Sequence, residues 1–269
     1  MARPLIALVT DFGARDHYVG TMKGAMLGIC ADTALVDITH EVPAHDVVAG
    51  AIELAAAYRH FPPGTIFLVI VDPGVGSARR GLSAEAGGYR FVAPDNGVLS
   101  VVFEDTPPDR VVELSNPRYA RAEVSRTFEG RDRFGPAAAW LATGVDLLEL
   151  GPAIHDWVRV DVPKARATAA GIEGEVVRVD RFGNLVTNID RAMLEAAGPV
   201  RLLSVRVGDA GAEPALAIVG AYADVAAGEL CALVGSTNHL EIAVNGASAA
   251  SRLGAARGTR VHVRANPEP

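Results

Sequence analysis

Thr65-Ile66-Phe67-Leu68-Val69-Ile70-Val71-Asp72-Pro73-Gly74-Val75-Gly76 joins an unbroken apolar run to an acid and two glycines. A run this short has no polar face, so it suits a strand buried on both sides, as in a parallel sheet. The residues from Asp72 onward then form a tight loop at the strand's carboxyl end. Leu5–Val9 is a second run of this kind, and Ala34–Ile38 is a weaker one. Helical patterns lie between them, His17 to Cys30 and Asp46 to His60, with Asp46 placed as an N-cap. Strand–helix–strand alternation predicts an α/β layer fold. Leu82–Ala86, Gly87-Gly88 and Tyr89–Ala93 read as a hairpin with a two-glycine turn, and Phe134 to Ala142 as another helix.

The pattern changes beyond a Pro/Ala/Thr-rich stretch, Val162 to Gly171, that reads as a linker. Strand signals follow at Glu175–Val179, Leu202–Val207, Leu216–Val219, Glu229–Val234, Leu240–Val244 and Arg260–Val263. Short spacing between them predicts a small all-β domain or barrel.

Composition narrows the function. The 269 residues are 49% hydrophobic and 21% charged, which excludes a disordered chain. A formal charge of −7 offers no basic face for nucleic acid. Lysine occurs only at Lys23 and Lys164, so amine chemistry is nearly absent. Cys30 and Cys231 sit alone in apolar stretches and read as buried thiols, not as a disulfide or zinc site. The N-terminus shows no signal-peptide pattern, and no uncharged apolar run is long enough to span a membrane. A soluble, cytoplasmic protein is the expectation.

Several motifs fail on their surroundings. Asp11-Phe12-Gly13 lacks the other kinase elements. His40-Glu41-Val42-Pro43-Ala44-His45 spaces its histidines wrongly for a zinc helix, and Pro43 breaks it. Asp72–Gly76 lacks the Gly-Lys-Ser/Thr ending of a phosphate loop. What remains is a set of acids at strand ends, Asp11, Asp72 and Asp95, expected to build one polar pocket beyond the sheet. Three further clusters are Thr127–Asp132, Asp180–Asn184 with Thr187-Asn188, and Ser236–Glu241 with Val244-Asn245-Gly246. An Asn offers both donor and acceptor, as reading an adenine edge requires, although each cluster is also ordinary turn chemistry.

Taken in order, Thr10–Gly13, Asp37–His40, Val71–Gly76, Pro94–Gly97, Thr127–Asp132, Asp180–Asn184, Thr187–Ile189 and Leu240–Ala243 resemble the S-adenosylmethionine (SAM) hydroxide adenosyltransferases. These are adenosine-forming SAM hydrolases, relatives of the SAM-dependent fluorinase and chlorinase. The resemblance implies an N-terminal α/β domain with a mostly parallel central sheet (residues 1–163) and a small C-terminal β-barrel domain (172–266). It also implies a homotrimer whose nucleoside site lies between one subunit's N-domain and a neighbour's C-domain. SAM would be the substrate, adenosine and L-methionine the products, with no metal or organic cofactor.

Residue by residue, the resemblance maps the ribose-holding aspartate to Asp11. It maps the methionine-binding groups to Asp180 and Ser236, and adenine reading to Asn184 and the backbone near Val244 and Gly246. Phe128, Gly130 and Glu241 complete the implied substrate set. The hydrolases' Asp–Arg–His set at the water matches Asp72 and Arg79, but the third position holds Glu129. Two readings of Glu129 stand: it takes the water's proton, or it crowds a second negative charge near Asp72 and slows the reaction. Gly130 replaces the fluorinase serine and is expected to leave room for a larger nucleophile. That keeps a chloride-using halogenase as an alternative, although Asp72 would repel halide. Non-catalytic SAM or adenosine binding is the third reading.

Overall fold

The computed structural model of the protein describes residues 3–208 and 215–265. The chain forms two compact units that divide between Val162 and Pro163.

The first unit contains β1 (Leu5–Thr10), α1 (Tyr18–Leu27), β2 (Ala34–Thr39), α2 (Val47–Ala57), β3 (Ile66–Ile70), β4 (Gly81–Ala86), β5 (Tyr89–Pro94), α3 (Ser100–Asp105), β6 (Arg110–Glu113) and α4 (Gly135–Ala142). Its six-stranded sheet has the order β2-β1-β3-β5-β4-β6. The first four strands in that order run parallel; β4 and β6 are antiparallel to their neighbours. Alternation along β1 and β3 explains their unbroken apolar runs. Ile6, Leu8, Ile66, Leu68 and Ile70 face a core shared with Met22 and Met26 of α1 and Ala137–Ala139 of α4. Ala7, Val9, Phe67 and Val69 face the opposite core, with Leu54 of α2 and Val102 of α3. Both faces are covered, as a parallel sheet requires.

The differences from expectation have local causes. β2 is the sheet edge and is only partly buried, which is why its run is the weakest. Asp46 caps α2 through its carboxylate, which accepts from Ala49 N at 2.9 Å. The hairpin forms as expected, with Ala86 opposite Tyr89 and positive φ at Gly87 (56°) and Gly88 (82°). The helix expected from Phe134 is α4, entered through a π-helical turn at Gly130–Phe134.

The second unit contains β7 (Arg166–Thr168), β8 (Gly171–Val179), β9 (Leu185–Asp190), α5 (Arg191–Ala197), β10 (Leu203–Val207), β11 (Leu216–Val219), β12 (Leu230–Val234), β13 (His239–Val244), α6 (Ala249–Leu253) and β14 (Arg260–Ala265). Strands β14-β10-β11-β12-β13-β9-β8 follow one another, and pairing of β14 with β8 closes them into a seven-stranded barrel. Ile172, Val176, Leu185, Val205, Leu240, Ile242, Val261 and Val263 fill its interior. β7 lies outside the ring on β8, inside the stretch read as a linker. Its residues are mostly exposed, so no apolar period marks it. β9 gave no strand signal because Thr187 and Asn188 are polar. Both find partners on neighbouring strands: Thr187 Oγ1 donates to Leu240 O (2.8 Å), and Asn188 Oδ1 accepts from Glu175 N (2.9 Å).

Candidate active site

In the first unit, α1 and α2 cover opposite faces, so the chain reverses its winding between β1 and β3. Open α/β sheets bind ligands beyond the carboxyl ends of strands at such a switch point. Thr10 pairs with Ile70 there, so Asp11 and Asp72 emerge from adjacent strand ends. His45 N donates to Asp11 Oδ2 at 2.8 Å, leaving Oδ1 without a protein partner among the described residues.

Asp72 faces Arg79. Arg79 Nε donates to Asp72 Oδ1 (2.9 Å) and Oδ2 (3.0 Å), and Nη2 donates to Asp72 Oδ2 and to Glu129 Oε2 (2.7 Å). All three side chains are nearly buried, at 6% exposure for Asp72, 11% for Arg79 and 8% for Glu129. The guanidinium also lies 5.0 Å from the centre of the Phe134 ring. Burial alone would lower the Arg79 pKa; the bonds and charge of Asp72, then of Glu129, overcome this and raise it above its ordinary value. Arg79 thus holds both carboxylates, and Arg133 Nη2 stands 3.9 Å from Glu129 Oε1 as a second, more distant cation.

The local sequence builds this cluster. The loop from Asp72 is tied at Gly76, whose carbonyl accepts from Arg126 Nη2 at 2.6 Å. Gly76 has φ 74°, and a Cβ there would lie 2.4 Å from Arg126 O, so only glycine fits. Across from it, the π-helical turn starts directly after Glu129. Such turns recur at functional sites. Asp132, on the same turn, is structural: Arg131 binds it through Nε and Nη2 (both 2.7 Å) and Ser125 N donates to it (2.9 Å). Those bonds, the Arg131 pair first, hold its carboxyl below the usual range. Phe128 is buried against Tyr18 (5.1 Å between ring centres) and Phe12 (6.0 Å).

Two expectations are corrected here. Asp95 does not join Asp11 and Asp72. Its Oδ2 accepts from Arg80 Nε (3.0 Å) and Nη2 (2.8 Å), and its Oδ1 accepts from Val158 N (2.8 Å). Asn96 is likewise structural, donating to Val71 O at 2.8 Å. Nor does Gly130 leave room. A Cβ there would meet Ile70 Cδ1 and Phe12 Cζ at 3.2 Å and Met22 Sδ at 3.5 Å, so the space is already filled.

The second unit carries a cavity of about 730 Å³. Of the residues singled out by sequence, Asp180, Asn184, Ser236, Glu241, Val244 and Gly246 line it. The register explains how. Arg178 pairs with Val186 and Val186 with Glu241, so β8, β9 and β13 set these side chains in a row. Leu185, Leu240 and Ile242 fill the barrel instead. Asp180 closes its own turn: Oδ1 accepts from Phe182 N (2.9 Å) and Asn184 N (2.8 Å), and Oδ2 accepts from Asn184 Nδ2 (2.9 Å). The Asn184 amide therefore gives one of its two N–H donors to Asp180, and its second N–H and Oδ1 have no protein partner among the described residues. A Cβ on Gly183 would lie 2.0 Å from Ser248 Oγ, so this turn also needs glycine.

Glu241 is buried and accepts from the Tyr222 hydroxyl at 2.5 Å. Burial first, then the charge of Asp180, raises its pKa; Tyr222 and Arg178 pull the other way. Burial and the same hydrogen bond push the Tyr222 hydroxyl up as well. The folded state thus holds the Glu241 proton more tightly than the unfolded chain does. Its contribution to stability falls as pH rises through and above the unfolded carboxyl value of 4.5. Glu241→Gln is accordingly expected to gain stability relative to the parent as the pH rises above the unfolded value of 4.5, read by urea unfolding.

The profile of the SAM hydroxide adenosyltransferase N-terminal domain matches residues 6–151, and that of the C-terminal domain matches residues 174–262. The chain belongs to the SAM hydroxide adenosyltransferase family. It is 40% identical to the (R)-S-adenosyl-L-methionine hydrolase of Salinispora tropica, over 97% of this chain and 98% of that one. A fluorinase from an Actinoplanes species is 34% identical over 72% of this chain and 74% of its own length. The crystal structure of an uncharacterised conserved protein from Thermotoga maritima matches with a TM-score of 0.90 at 36% identity, covering 96% of this chain and 99% of that one.

Sequence reasoning missed Arg178, Val186, Tyr222, Ala247 and Ser248 among the lining residues, and gave Phe182, Thr237 and Asn245 no individual role within the clusters it singled out. Phe182 had a signal, an aromatic inside a polar turn, and it is 76% exposed. Tyr222 had none; only the fold brings it to Glu241. Among the described residues no group of three or more His, Cys, Asp or Glu side chains is placed to hold a metal ion, and no helix is long and apolar enough to cross a membrane.

Proposed function

We propose that this chain hydrolyses S-adenosyl-L-methionine to adenosine and L-methionine by attack of water at C5′. The buried Asp72–Arg79–Glu129 cluster carries this reading, together with near full-length similarity to an (R)-S-adenosyl-L-methionine hydrolase. As the water oxygen bonds to C5′, the C5′–S bond breaks. Its electron pair passes to sulfur, which leaves as the neutral thioether of methionine. The attacking oxygen sheds a proton, which Glu129 accepts and releases to solvent. Asp72, kept in place by Arg79, orients the water for in-line attack. The Asp72 carboxylate suits a cationic sulfonium and repels halide.

Asp11 holds the ribose hydroxyls through its unpartnered Oδ1. Asp180 and Ser236 hold the methionine amine and carboxylate. Asn184 Oδ1 and the backbone at Val244 and Gly246 read the adenine edge. Phe128 and Gly130 flank the reacting carbon, and Glu241 supports the barrel side of the substrate. We assign the chemistry to an N-terminal domain of residues 1–163 and most of the recognition to a C-terminal domain of residues 172–266. The active form is a cytoplasmic homotrimer, and sedimentation equilibrium tests its mass against three chains of 28.0 kDa.

Product analysis discriminates the readings. SAM is expected to give adenosine and methionine in equal amounts, at the same rate with EDTA, and no 5′-chloro-5′-deoxyadenosine in molar chloride. The chlorinated nucleoside would establish a halogenase; adenosine binding without turnover would leave a binding protein. The filled space at Gly130 and the paired carboxylates both favour water over halide.

A further inference from the structure

The segment Asp37-Ile38-Thr39-His40-Glu41-Val42-Pro43-Ala44-His45 has no role in the chemistry above, yet it clasps the loop that carries Asp11. Gly13 N donates to His40 O (2.7 Å), Val42 N to Thr10 O (3.3 Å), and Ala14 N to Glu41 Oε1 (3.1 Å). His45, which donates to Asp11 Oδ2, stands at φ 67°, a left-handed conformation that side chains rarely adopt. Strain of this kind clusters where a ligand group must be held.

One buried side-chain bond joins the two segments. Thr10 Oγ1 lies 2.8 Å from His40 Nδ1; Thr10 is fully buried and His40 nearly so. Thr10 Oγ1 also accepts from Phe12 N at 3.2 Å, so its own hydrogen is free to point at Nδ1. That arrangement makes Nδ1 the acceptor and leaves the imidazole hydrogen on Nε2. Nε2 lies 3.0 Å from Asp37 Oδ1, close enough for attraction but off the line of a hydrogen bond. Lys23 Nζ holds the other Asp37 oxygen at 2.6 Å. The chain of groups runs from the Phe12 amide through Thr10 and His40 to the partly exposed Asp37–Lys23 pair.

We propose that His40 is a positioning residue for substrate: through Thr10 it fixes the end of β1 and so aims the Asp11 carboxylate at the ribose. This rests on Asp11 as the ribose holder. The role belongs to binding and not to the bond-breaking step, because His40 touches neither Asp72, Arg79 nor Glu129 by any hydrogen bond or ion pair.

His40→Ala is expected to raise the KM for SAM and the calorimetric Kd for adenosine roughly 10-fold, the loss of about one hydrogen bond, with kcat within about threefold. Thr10→Val should do the same, and the double variant should be no worse than either, since both break one link. In His40→Asn the Oδ1 atom sits as many bonds from Cβ as Nδ1 does, so it should restore binding. A structural role alone would lower the melting temperature and leave the KM of the folded enzyme unmoved. An unchanged KM in His40→Ala, or no rescue by Asn, overturns the proposal. Asp11→Ala separates the two levels. If it leaves adenosine affinity intact, the ribose reading fails and this one with it. If it weakens affinity while His40→Ala does not, only the positioning role fails.

Discussion

Asp72→Ala is expected to lower kcat for SAM hydrolysis by about 10²–10⁴-fold, with adenosine affinity changed by no more than about threefold. The asymmetry follows from the cluster. On the proposed reading Asp72 orients the water, whereas Asp11 holds the ribose through its unpartnered Oδ1. The variant should still fold. Arg79 keeps Glu129 as a partner at 2.7 Å, so no cation is left alone in the interior. Stopped-time product analysis with calorimetry on the same preparation reads both quantities. Equal losses of turnover and affinity would assign Asp72 to binding instead.

Arg79→Met carries the second large effect, on stability as well as on rate. It strands Asp72 (6% exposed) without a cation and leaves Glu129 (8% exposed) only the more distant Arg133, 3.9 Å away. Removing one partner of a buried ion pair typically costs about 3–5 kcal/mol. The expected signature is its pH dependence. Without the guanidinium, burial and mutual repulsion raise the carboxyl pKa values, so lowering the pH lets one side chain take a proton. The stability gap between variant and parent should narrow between about pH 7 and about pH 5, measured by urea unfolding. A gap independent of pH would mean that the arginine acts through packing on Phe134 alone.

Both results turn on how much of this site sequence can hold. The apolar runs of β1 and β3 are legible because both faces of these strands are covered, and the acids that end them follow directly. Asp95 shows the limit. It carries the same turn chemistry as Asp72 but is consumed by Arg80, because the β4–β5 pairing sets Gly81 opposite Pro94 and brings Arg80 alongside. Nothing local distinguishes the two aspartates. In the barrel, alternating strands announced themselves, whereas β9 stayed hidden behind polar residues whose partners lie on other strands. Asn184 reads as a two-way hydrogen-bonding group, and it remains one, although the turn takes one of its two N–H donors for Asp180. Tyr222 was silent, because its meaning is a tertiary contact with Glu241.

The charge balance of the chain acquires a local meaning in the same way. A formal −7 says little about any one place, but Arg79 between two buried carboxylates, with Arg133 3.9 Å from the second, gathers charged groups into one spot at a strand switch point. Glu129 belongs to that spot through Arg79, which bonds both carboxylates from the same nitrogen. This sharing argues against simple crowding, since the cation offsets the added charge. Glu129→His is therefore expected to keep turnover within about tenfold of the parent if the position serves as base, because imidazole also accepts a proton near neutral pH.

Hydrolysis of SAM in H₂¹⁸O, with mass analysis of both products, bears most directly on the central claim. Attack of water at C5′ predicts one ¹⁸O in adenosine, at the 5′ oxygen, and none in methionine. Unlabelled adenosine, or no adenosine at all, would contradict it.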